Sequence, residues 1–240
     1  MSQDGFNPEE QGLAAQLRLL VTSHFYRQRG TKQASLNNLR DGGFKPTLVI
    51  DVGAQVGTPE LSNSFPDAHH VLIEPVAECL PALQQFAAQL KSVEILQAAV
   101  SDRAGTTHLS VTPSRQYSSI EAQLGDESRL VVVVTVDSLL DRRRDDDPLL
   151  LKVDVDGIEL KVVQGAQAAL AGDCIVVVEA TLGDESPRFN RVVQYLSDFG
   201  FDVYDIIDLM YRRSDFHVWQ VDLVFVKQGS ALWGKRQYAS

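Results

Sequence analysis

The 240-residue sequence has only two cysteines, Cys79 and Cys174, and they lie too far apart along the chain to suggest a metal-binding pair. It also lacks any apolar stretch close to the roughly 20 residues that a membrane helix needs. Its first residues do not show a basic segment followed by an apolar one, which a secretory signal would have. We therefore expect no membrane span, reduced thiols and a cytoplasmic location.

Positive charge is also scarce in this chain. There are 32 acidic and 22 basic residues, which gives a formal net charge of −10. Because attraction to phosphate dominates the affinity of proteins for nucleic acids, we expect no nucleic-acid partner. The one basic run, residues 142–144, is followed at once by three aspartates at 145–147, which predicts a solvated loop in which the charges cancel.

The remaining pattern alternates between strands and helices, as in βαβ units with a parallel sheet. The predicted strands are 48–52, 70–74, 93–97, 149–154, 174–179, 201–207 and 218–227. The predicted helices are 58–65, 77–90, 158–171 and 187–199. An excursion with strand-like segments at 107–111 and 130–136 is too long for a simple crossover, so we place part of the substrate region there.

A separate helical segment is predicted ahead of the sheet. Over residues 8–29, apolar side chains recur at three- and four-residue steps, which marks one face of a helix. We divide the chain into an N-terminal helical extension, residues 1–44, and one α/β domain, residues 45–240. The extension is expected to cap either the core or a substrate cleft.

The most informative stretch is residues 48–57, where an apolar run ends in Asp51 and two glycines follow at Gly53 and Gly57. The β-branched residues of the run suit a strand covered on both faces. The glycines allow a sharp turn and a close approach of backbone to ligand, and free N–H groups of the following helix would point at that ligand. The stretch indicates a nucleotide-sized ligand site, with an ordinary strand–helix turn as the alternative.

Acidic residues follow the next two strands. Glu74 comes about 20 residues after the glycine turn, at the position where an acid can accept hydrogen bonds from both hydroxyls of a ribose. Asp102, next to Ser101, is a candidate to accept a hydrogen bond from an adenine amino group. The alternatives are a capping or solvated acid for Glu74, and a turn residue before Gly105 for Asp102.

The glycine turn departs from the dinucleotide fingerprint, which is G-x-G-x-x-G. Here the two glycines are four residues apart, and Asp51 precedes the first of them. A carboxylate at that place would repel a pyrophosphate but would suit the cationic amino acid end of S-adenosylmethionine. Unless Asp51 turns away from the ligand, the turn favours a methyl donor over NAD.

A second group of acids, Asp154, Asp156 and Glu159, follows the strand at 149–154. Ligands bind outside the carboxyl ends of the strands in open α/β sheets, so Asp154 would lie near the transferred methyl group. It could orient or deprotonate an acceptor hydroxyl, or it could only cap the next helix. Asp154 and Asp156 are also the candidates for binding a divalent cation such as Mg²⁺, the least favoured of the three roles.

Two further residues are candidates for a catalytic base. Glu179 ends the strand at 174–179, and His217 lies in the loop before the last strand. A carboxylate or an imidazole can take a proton from a hydroxyl group. The alternatives are a structural acid for Glu179 and an exposed loop residue for His217.

Four segments together resemble the FkbM family of S-adenosylmethionine-dependent methyltransferases. They are residues 51–57 (DVGAQVG), 73–75 (IEP), 151–160 (LKVDVDGIEL) and 163–166 (VQGA), within a likeness that runs from about Gly43 to Lys227. Two positions depart from the family pattern: Gln55 replaces the usual Asn, and Asp156 replaces a frequent Glu. Both changes keep the chemistry and alter the reach of the side chain by one methylene group.

The resemblance implies a Rossmann-like class I methyltransferase, an α/β fold with a mostly parallel seven-stranded sheet and an antiparallel C-terminal strand. It implies S-adenosyl-L-methionine as the cofactor. The residues expected to bind this cofactor are Asp51, Gly53, Ala54, Gln55, Gly57, Glu74, Ser101 and Asp102.

The expected function is methyl transfer to a hydroxyl group on a sugar, a glycan or a secondary metabolite, with Asp154, Glu179 and His217 as candidate catalytic residues. The expected partner is accordingly a small-molecule or glycan acceptor. The alternatives are a nicotinamide-dependent Rossmann oxidoreductase and a non-catalytic nucleoside-binding module.

Overall fold

The computed structural model describes residues 30–111, 118–120, 128–143, 147–182 and 188–234. The helix predicted over residues 8–29 lies outside the described residues. So does the centre of the charged loop predicted at 142–147.

Helices and strands alternate along the described chain, as the sequence predicts. The first half contains α1 (Lys32–Asp41), β1 (Leu48–Val52), α2 (Pro59–Ser64), β2 (His69–Ile73), α3 (Leu80–Ala87), β3 (Val93–Leu96), β4 (Ala99–Val100), β5 (Gly105–Val111), β6 (Ser118–Ser119) and β7 (Ser128–Val134). The second half contains β8 (Leu149–Val153), α4 (Glu159–Gln164), α5 (Gln167–Ala171), β9 (Cys174–Thr181), α6 (Arg188–Asp198), β10 (Phe201–Tyr211) and β11 (Val218–Lys227). Short 3₁₀ turns lie at Ala77–Cys79, Asp137–Arg142 and Ala231–Trp233.

The main sheet has seven strands in the order β10-β11-β9-β8-β1-β2-β3. Strands β9, β8, β1, β2 and β3 run parallel to one another, and β11 is antiparallel to both β9 and β10. The predicted Rossmann-like class I methyltransferase fold is therefore confirmed. The strand order reverses between β1 and β8, which is where open α/β sheets bind their ligands.

Side chains alternate between the two covered faces of this sheet. On one face, Ile50, Leu151 and Val176 belong to the core that includes buried residues of α4, α5 and α6. On the other face, Val49 and Leu150 belong to a core with Leu36 and Leu39 of α1. We call this second side the α1 face.

The alternation places a row of polar side chains on the α1 face. Asp51 follows Val49 by two residues, Lys152 follows Leu150 and Glu179 follows Val177. Asp222 and Gln220 continue the same alternation from Val224 on the antiparallel strand β11. Since these residues sit toward the carboxyl ends of the parallel strands, the fold itself gathers them near the switch point.

The excursion predicted between the third strand and residue 149 forms a second, smaller sheet. Its strands lie in the order β4-β7-β5-β6. Leu109 and Val111 of β5 pack against Val76, which follows β2, so the small sheet is joined to the main domain by an apolar contact.

One predicted helix is divided in two. The sequence predicts a continuous helix over 158–171, but α4 ends at Gln164 and α5 begins at Gln167. Gly165 lies between them, and a Cβ at this position would be 2.2 Å from the carbonyl oxygen of Ser101. The close approach of the 101–102 loop therefore requires glycine there.

Candidate functional site

A cavity of about 500 Å³ opens at the carboxyl ends of β1, β2, β8 and β9. Its size falls within the range of about 300–1,000 Å³ that is usual for small-molecule sites. Three surfaces enclose it. The glycine turn and Glu74 form one side; the ends of β8 and β9 form the second; Ala98, Ala99, Leu109 and Ile120 contribute the third.

The glycine turn is shaped by close contacts that exclude larger residues. Gly53 has φ 78°, and a Cβ there would lie 1.8 Å from the carbonyl oxygen of Asp154. Gly57 has φ 103°, and a Cβ there would lie 2.2 Å from the ring of Phe86. The turn can thus pack against Asp154 and Phe86 only with glycine at both positions.

Glu74 holds this turn in place from the end of β2. Its Oε2 accepts a hydrogen bond of 2.9 Å from the backbone N–H of Gln55, and its Oε1 accepts one of 2.8 Å from the N–H of Val76. Burial raises the pKa of Glu74, and these two hydrogen bonds oppose that rise. Because a carboxylate oxygen has two lone pairs, both oxygens can still accept a hydroxyl hydrogen from a ligand in the cavity.

Asp51, in contrast, does not line the cavity. It is fully buried on the α1 face, where its Oδ1 lies 3.3 Å from Nζ of Lys152. Lys152 also donates a hydrogen bond of 2.8 Å to Oδ2 of Asp154. Burial lowers the pKa of Lys152, but Asp51 and Asp154 outweigh it and hold the pKa above its usual value. The charged side chain of Lys152 thus lies between the two aspartates and forms the floor of the cavity.

Asp154 and Glu179 form a pair of carboxyl groups above this floor. They are hydrogen-bonded to each other, and Gln220 Nε2 donates a hydrogen bond to Oε1 of Glu179. Burial raises the pKa of Asp154, but the ammonium group of Lys152 more than offsets it, so the net shift is downward. Burial and the neighbouring Asp154 raise the pKa of Glu179 to about 8. At neutral pH the pair accordingly holds one proton, which lies on Glu179, while Asp154 is ionised.

The other predicted site residues lie at different places. Asp156 lines the cavity at its exposed rim. Ser101 and Asp102 do not line it; the Ser101 hydroxyl donates a 3.1 Å hydrogen bond to Oδ1 of Asp102. His217 is exposed in the turn between β10 and β11, where its backbone N–H donates to Oδ1 of Asp215, and it does not line the cavity either.

Two of the alternatives for the acids after β8 can be compared with the structure. Within the described residues, no side chain caps the start of α4; Glu159 Oε1 instead accepts a hydrogen bond from the N–H of Gly157. No group of three or more histidine, cysteine, aspartate or glutamate residues in the described part of the chain is arranged to hold a metal ion.

Neither Gln220 nor Lys152 was among the predicted site residues. The sequence signal that could have identified both residues was a polar side chain within a mostly apolar strand. Lys152 interrupts the apolar run of β8, and Gln220 shares a face of β11 with Asp222. Their contacts depend on strand register, which the sequence does not show.

The comparisons with known proteins bear on this site. The sequence model of the FkbM methyltransferase domain matches residues 51–203, which is more than half of the chain. The chain belongs to the FkbM methyltransferase family. Membership confirms the predicted class, an S-adenosylmethionine-dependent methyltransferase, and does not support the alternative of a nicotinamide-dependent oxidoreductase. No curated protein matches the chain.

Several solved structures are similar in fold. Precorrin-6y C5,15-methyltransferase from Geobacter metallireducens has 14% sequence identity and a TM-score of 0.48, with 87% of this chain and 90% of that chain covered. A putative rRNA methylase from Clostridium thermocellum has 10% identity and a TM-score of 0.46, with 84% and 98% covered. A putative RNA methyltransferase from Pyrococcus horikoshii has 13% identity and a TM-score of 0.42, with 81% and 82% covered. At this level of similarity, none of them indicates what this FkbM-family chain methylates.

The FkbM-family site fits the donor that the family uses. Residues 53–57 place turn backbone along the cavity, and the buried acid Glu74 lines it as well, an arrangement that suits the ribose of an adenosyl group. As for membranes, no helix in the described ranges is both long and apolar enough to span one.

Proposed function

We propose that this chain transfers a methyl group from S-adenosylmethionine to a hydroxyl oxygen on a sugar, a glycan or a secondary metabolite. The observation that carries the proposal is the Asp154–Glu179 carboxyl pair, which shares one cavity with the glycine turn and Glu74. The donor side and the proton-accepting side of a methyl transfer to oxygen are therefore adjacent.

The donor side is made by residues 53–57 and Glu74. In the proposal, backbone groups of Gly53, Ala54, Gln55 and Gly57 contact the donor, and Glu74 accepts hydrogen bonds from the ribose hydroxyls. Asp51 acts indirectly, because its charge holds Lys152 in the floor. Ser101, Asp102 and His217 have no ligand contact in this proposal, since they lie away from the cavity lining.

The acceptor side is made by Glu179 and Asp154. The bound donor supplies an electrophilic methyl group on a positively charged sulfur. The acceptor oxygen would bond to that methyl group as the bond from the methyl group to sulfur breaks, and the donor would leave as the neutral thioether S-adenosylhomocysteine. The ionised Glu179 would take the hydroxyl proton, while Asp154, fixed by Lys152, would orient the hydroxyl. Alignment of reactants contributes up to about 7–11 kcal/mol in favourable cases, and a general base contributes about 10²–10⁴-fold in rate.

The charges of the cavity support a neutral acceptor. Among the described residues, its acidic lining residues are Glu74, Asp154, Asp156 and Glu179, and the one lysine, Lys152, is paired with two aspartates. An acceptor rich in phosphate would meet like charge at this lining. Hydroxyl groups, in contrast, can donate hydrogen bonds to carboxylates at no such cost.

The test is a methyl-transfer assay with isotope-labelled donor and a panel of sugars, glycans and hydroxylated metabolites. We expect label in a product ether, and we expect Glu179→Gln to lower kcat by about 10²–10⁴-fold while donor affinity stays within about twofold. Asp67→Asn, an exposed acid paired with Lys91, is the control and keeps full activity. Transfer only to nitrogen, carbon or phosphate-rich acceptors would contradict the proposal, and so would full activity of Glu179→Gln. A donor-binding chain with no transfer at all would favour the nucleoside-binding module.

The pH dependence of the reaction follows from the same pair. Glu179 must be ionised to accept the proton, and burial raises its pKa to about 8. We therefore expect kcat to rise with pH between about 7 and 9, which a pH–rate profile with saturating donor measures. A rate that is flat over this interval would show that Glu179 is not the base.

A further inference from the structure

The polar row on the α1 face extends beyond the cavity to Lys32, at the start of α1. Nζ of Lys32 lies 2.8 Å from Oδ2 of Asp222 and 3.6 Å from Oδ2 of Asp208. The backbone N–H of Lys32 also donates to Oδ1 of Asp208. The side chains of Lys32 and Asp222 are only 14% and 4% exposed, so this ion pair is shielded from water far better than a surface pair.

Asp222 connects this ion pair to the site. In the register of β9 and β11, Asp222 lies directly opposite Glu179, and both side chains belong to the polar row. Directly opposed residues on one face of an antiparallel pair have their Cβ atoms about 4.5–5.5 Å apart, and like charges there repel each other. Gln220, two residues earlier on the same strand, donates the hydrogen bond to Glu179. Strand β11 thus presents both a charge and a hydrogen-bond donor to one carboxyl group.

We propose that Lys32 and Asp222 are positioning residues for Glu179: together they set its charge state and hold the strand that orients it. The inference rests on the proposed function for what Glu179 does in the reaction. It goes beyond that function by assigning part of the behaviour of the base to α1, none of whose residues is among the described residues that line the cavity.

The charged groups around Glu179 explain why the Lys32–Asp222 ion pair affects its charge state. The charged or titratable groups on the elements around it are Asp51 (β1), Glu74 (after β2), Lys152 (β8), Asp154 and Asp156 (after β8), Glu159 (α4), Asp208 (β10), Asp222 (β11) and Lys32 (α1). Only two of these nine groups are cations. Removing one cation or one of the nearest anions therefore changes the local balance substantially.

The two members of the pair act on Glu179 with opposite sign. Without the ammonium group of Lys32, the negative charge of Asp222 is no longer compensated, and ionised Glu179 becomes less favourable. Without the carboxylate of Asp222, one repelling charge is lost, and ionised Glu179 becomes more favourable. Shifts of about one pH unit in each direction are expected for charges at this separation. Loss of packing alone would not produce opposite shifts.

The experiment is a ¹³C NMR titration of the glutamate side-chain carboxyl groups in the full chain, with the Glu179 signal assigned by its absence in Glu179→Gln. We expect the midpoint of Glu179 to move upward by about one unit in Lys32→Met, downward by about one unit in Asp222→Asn, and back toward the wild-type value in the double variant. Lys32→Arg keeps the charge and should restore the wild-type midpoint. Lys91→Met and Asp67→Asn remove the members of an exposed ion pair and should leave it unchanged.

Midpoints that stay within a few tenths of a unit in both single variants would overturn the inference, as would shifts in the same direction. If Asp222→Asn does not fold, an upward shift in Lys32→Met that is absent in Lys32→Arg still supports the inference, and the lack of a shift in Lys32→Met still overturns it. The titration needs no turnover. Opposite shifts without methylation of any acceptor would refute the proposed function and keep this inference, whereas methylation with unshifted midpoints would do the reverse.

Discussion

At the scale of single residues, Glu74 combines two tasks that the sequence suggested only in part. Its position after β2 predicted a ribose ligand, and the structure places it at the cavity with lone pairs still available. In addition, its two oxygens already accept the N–H groups of Gln55 and Val76, which tie the glycine turn to the end of β2. The residue thus holds the turn in place, and its hydrogen bonds to a ribose stay a prediction.

We expect Glu74→Gln to weaken donor binding by more than about tenfold. An amide keeps the shape of the side chain, but its NH₂ group cannot accept a hydrogen bond from either backbone N–H or from a hydroxyl group. Isothermal titration calorimetry with S-adenosylmethionine measures the change, with Asp67→Asn as the control. An unaltered dissociation constant would refute the ribose role of Glu74.

The surroundings of Asp51 could not be predicted from the residue and its place in the motif alone. Its place before Gly53 predicted a contact with the amino acid end of the donor. Alternation along β1 turns it instead to the same face as Val49, and the β1–β8 register sets it beside Lys152. The sequence left open whether Asp51 turns away from the ligand, because its partner depends on a strand register that apolar strands do not encode.

At the scale of elements, β8 carries an unusual charge for a buried parallel strand. Lys152 is 3% exposed, in a strand whose other members are all buried and apolar. Its ammonium group lies between Asp51 of β1 and Asp154 at its own strand's end. Three charges on two neighbouring strands therefore hold the floor of the cavity together.

Lys152→Met should destabilise the protein by about 3–5 kcal/mol, because it leaves the fully buried Asp51 without its cation. Adding Asp51→Asn should recover part of that loss, since a neutral side chain no longer needs the cation. Chemical denaturation followed by circular dichroism measures both changes, and Lys91→Met at an exposed ion pair is the control. A loss below about 1 kcal/mol in the single variant would show that the ion pair does not support the floor.

The strands and most helices could be predicted from apolar runs and helical spacing, because the sheet is buried on both faces. The exact ends could not: β10 extends to Tyr211 rather than residue 207, and the helix predicted at 158–171 is interrupted at Gly165. In the latter case, the cause is the loop at Ser101, a tertiary contact between segments far apart in the chain. The acids at 154 and 179 were predicted as candidates, but their hydrogen bond to each other depends on the pairing of β8 with β9.

At the scale of the whole molecule, the negative charge of the chain and the acids of the cavity act in the same direction. The net charge is −10, and the described part of the cavity lining has four acids against one paired lysine. The net charge of the chain repels phosphate groups at long range, and the acidic residues of the cavity repel them at the site. This consistency supports the expectation of an acceptor that is not a nucleic acid.

We therefore expect no measurable binding of a structured RNA at about 150 mM salt, because affinity for nucleic acids depends on phosphate neutralised by lysine and arginine. Fluorescence anisotropy with a labelled transfer RNA, with and without S-adenosylmethionine, measures it. Binding with micromolar affinity that weakens steeply as salt increases would contradict the expectation and point to an RNA acceptor.

The donor side and the acceptor side of the proposed site come from different parts of the fold, because β11 contributes to the acceptor side alone. The residues proposed to contact the donor lie in the turn after β1 and at the end of β2, whereas Gln220 lines the cavity from a hairpin at the edge of the sheet. In the proposed function, changes along this hairpin therefore act on the acceptor side and leave the glycine turn and Glu74 intact. Relatives that keep the DVGAQVG turn but differ along β10 and β11 would then share a donor and diverge in their products.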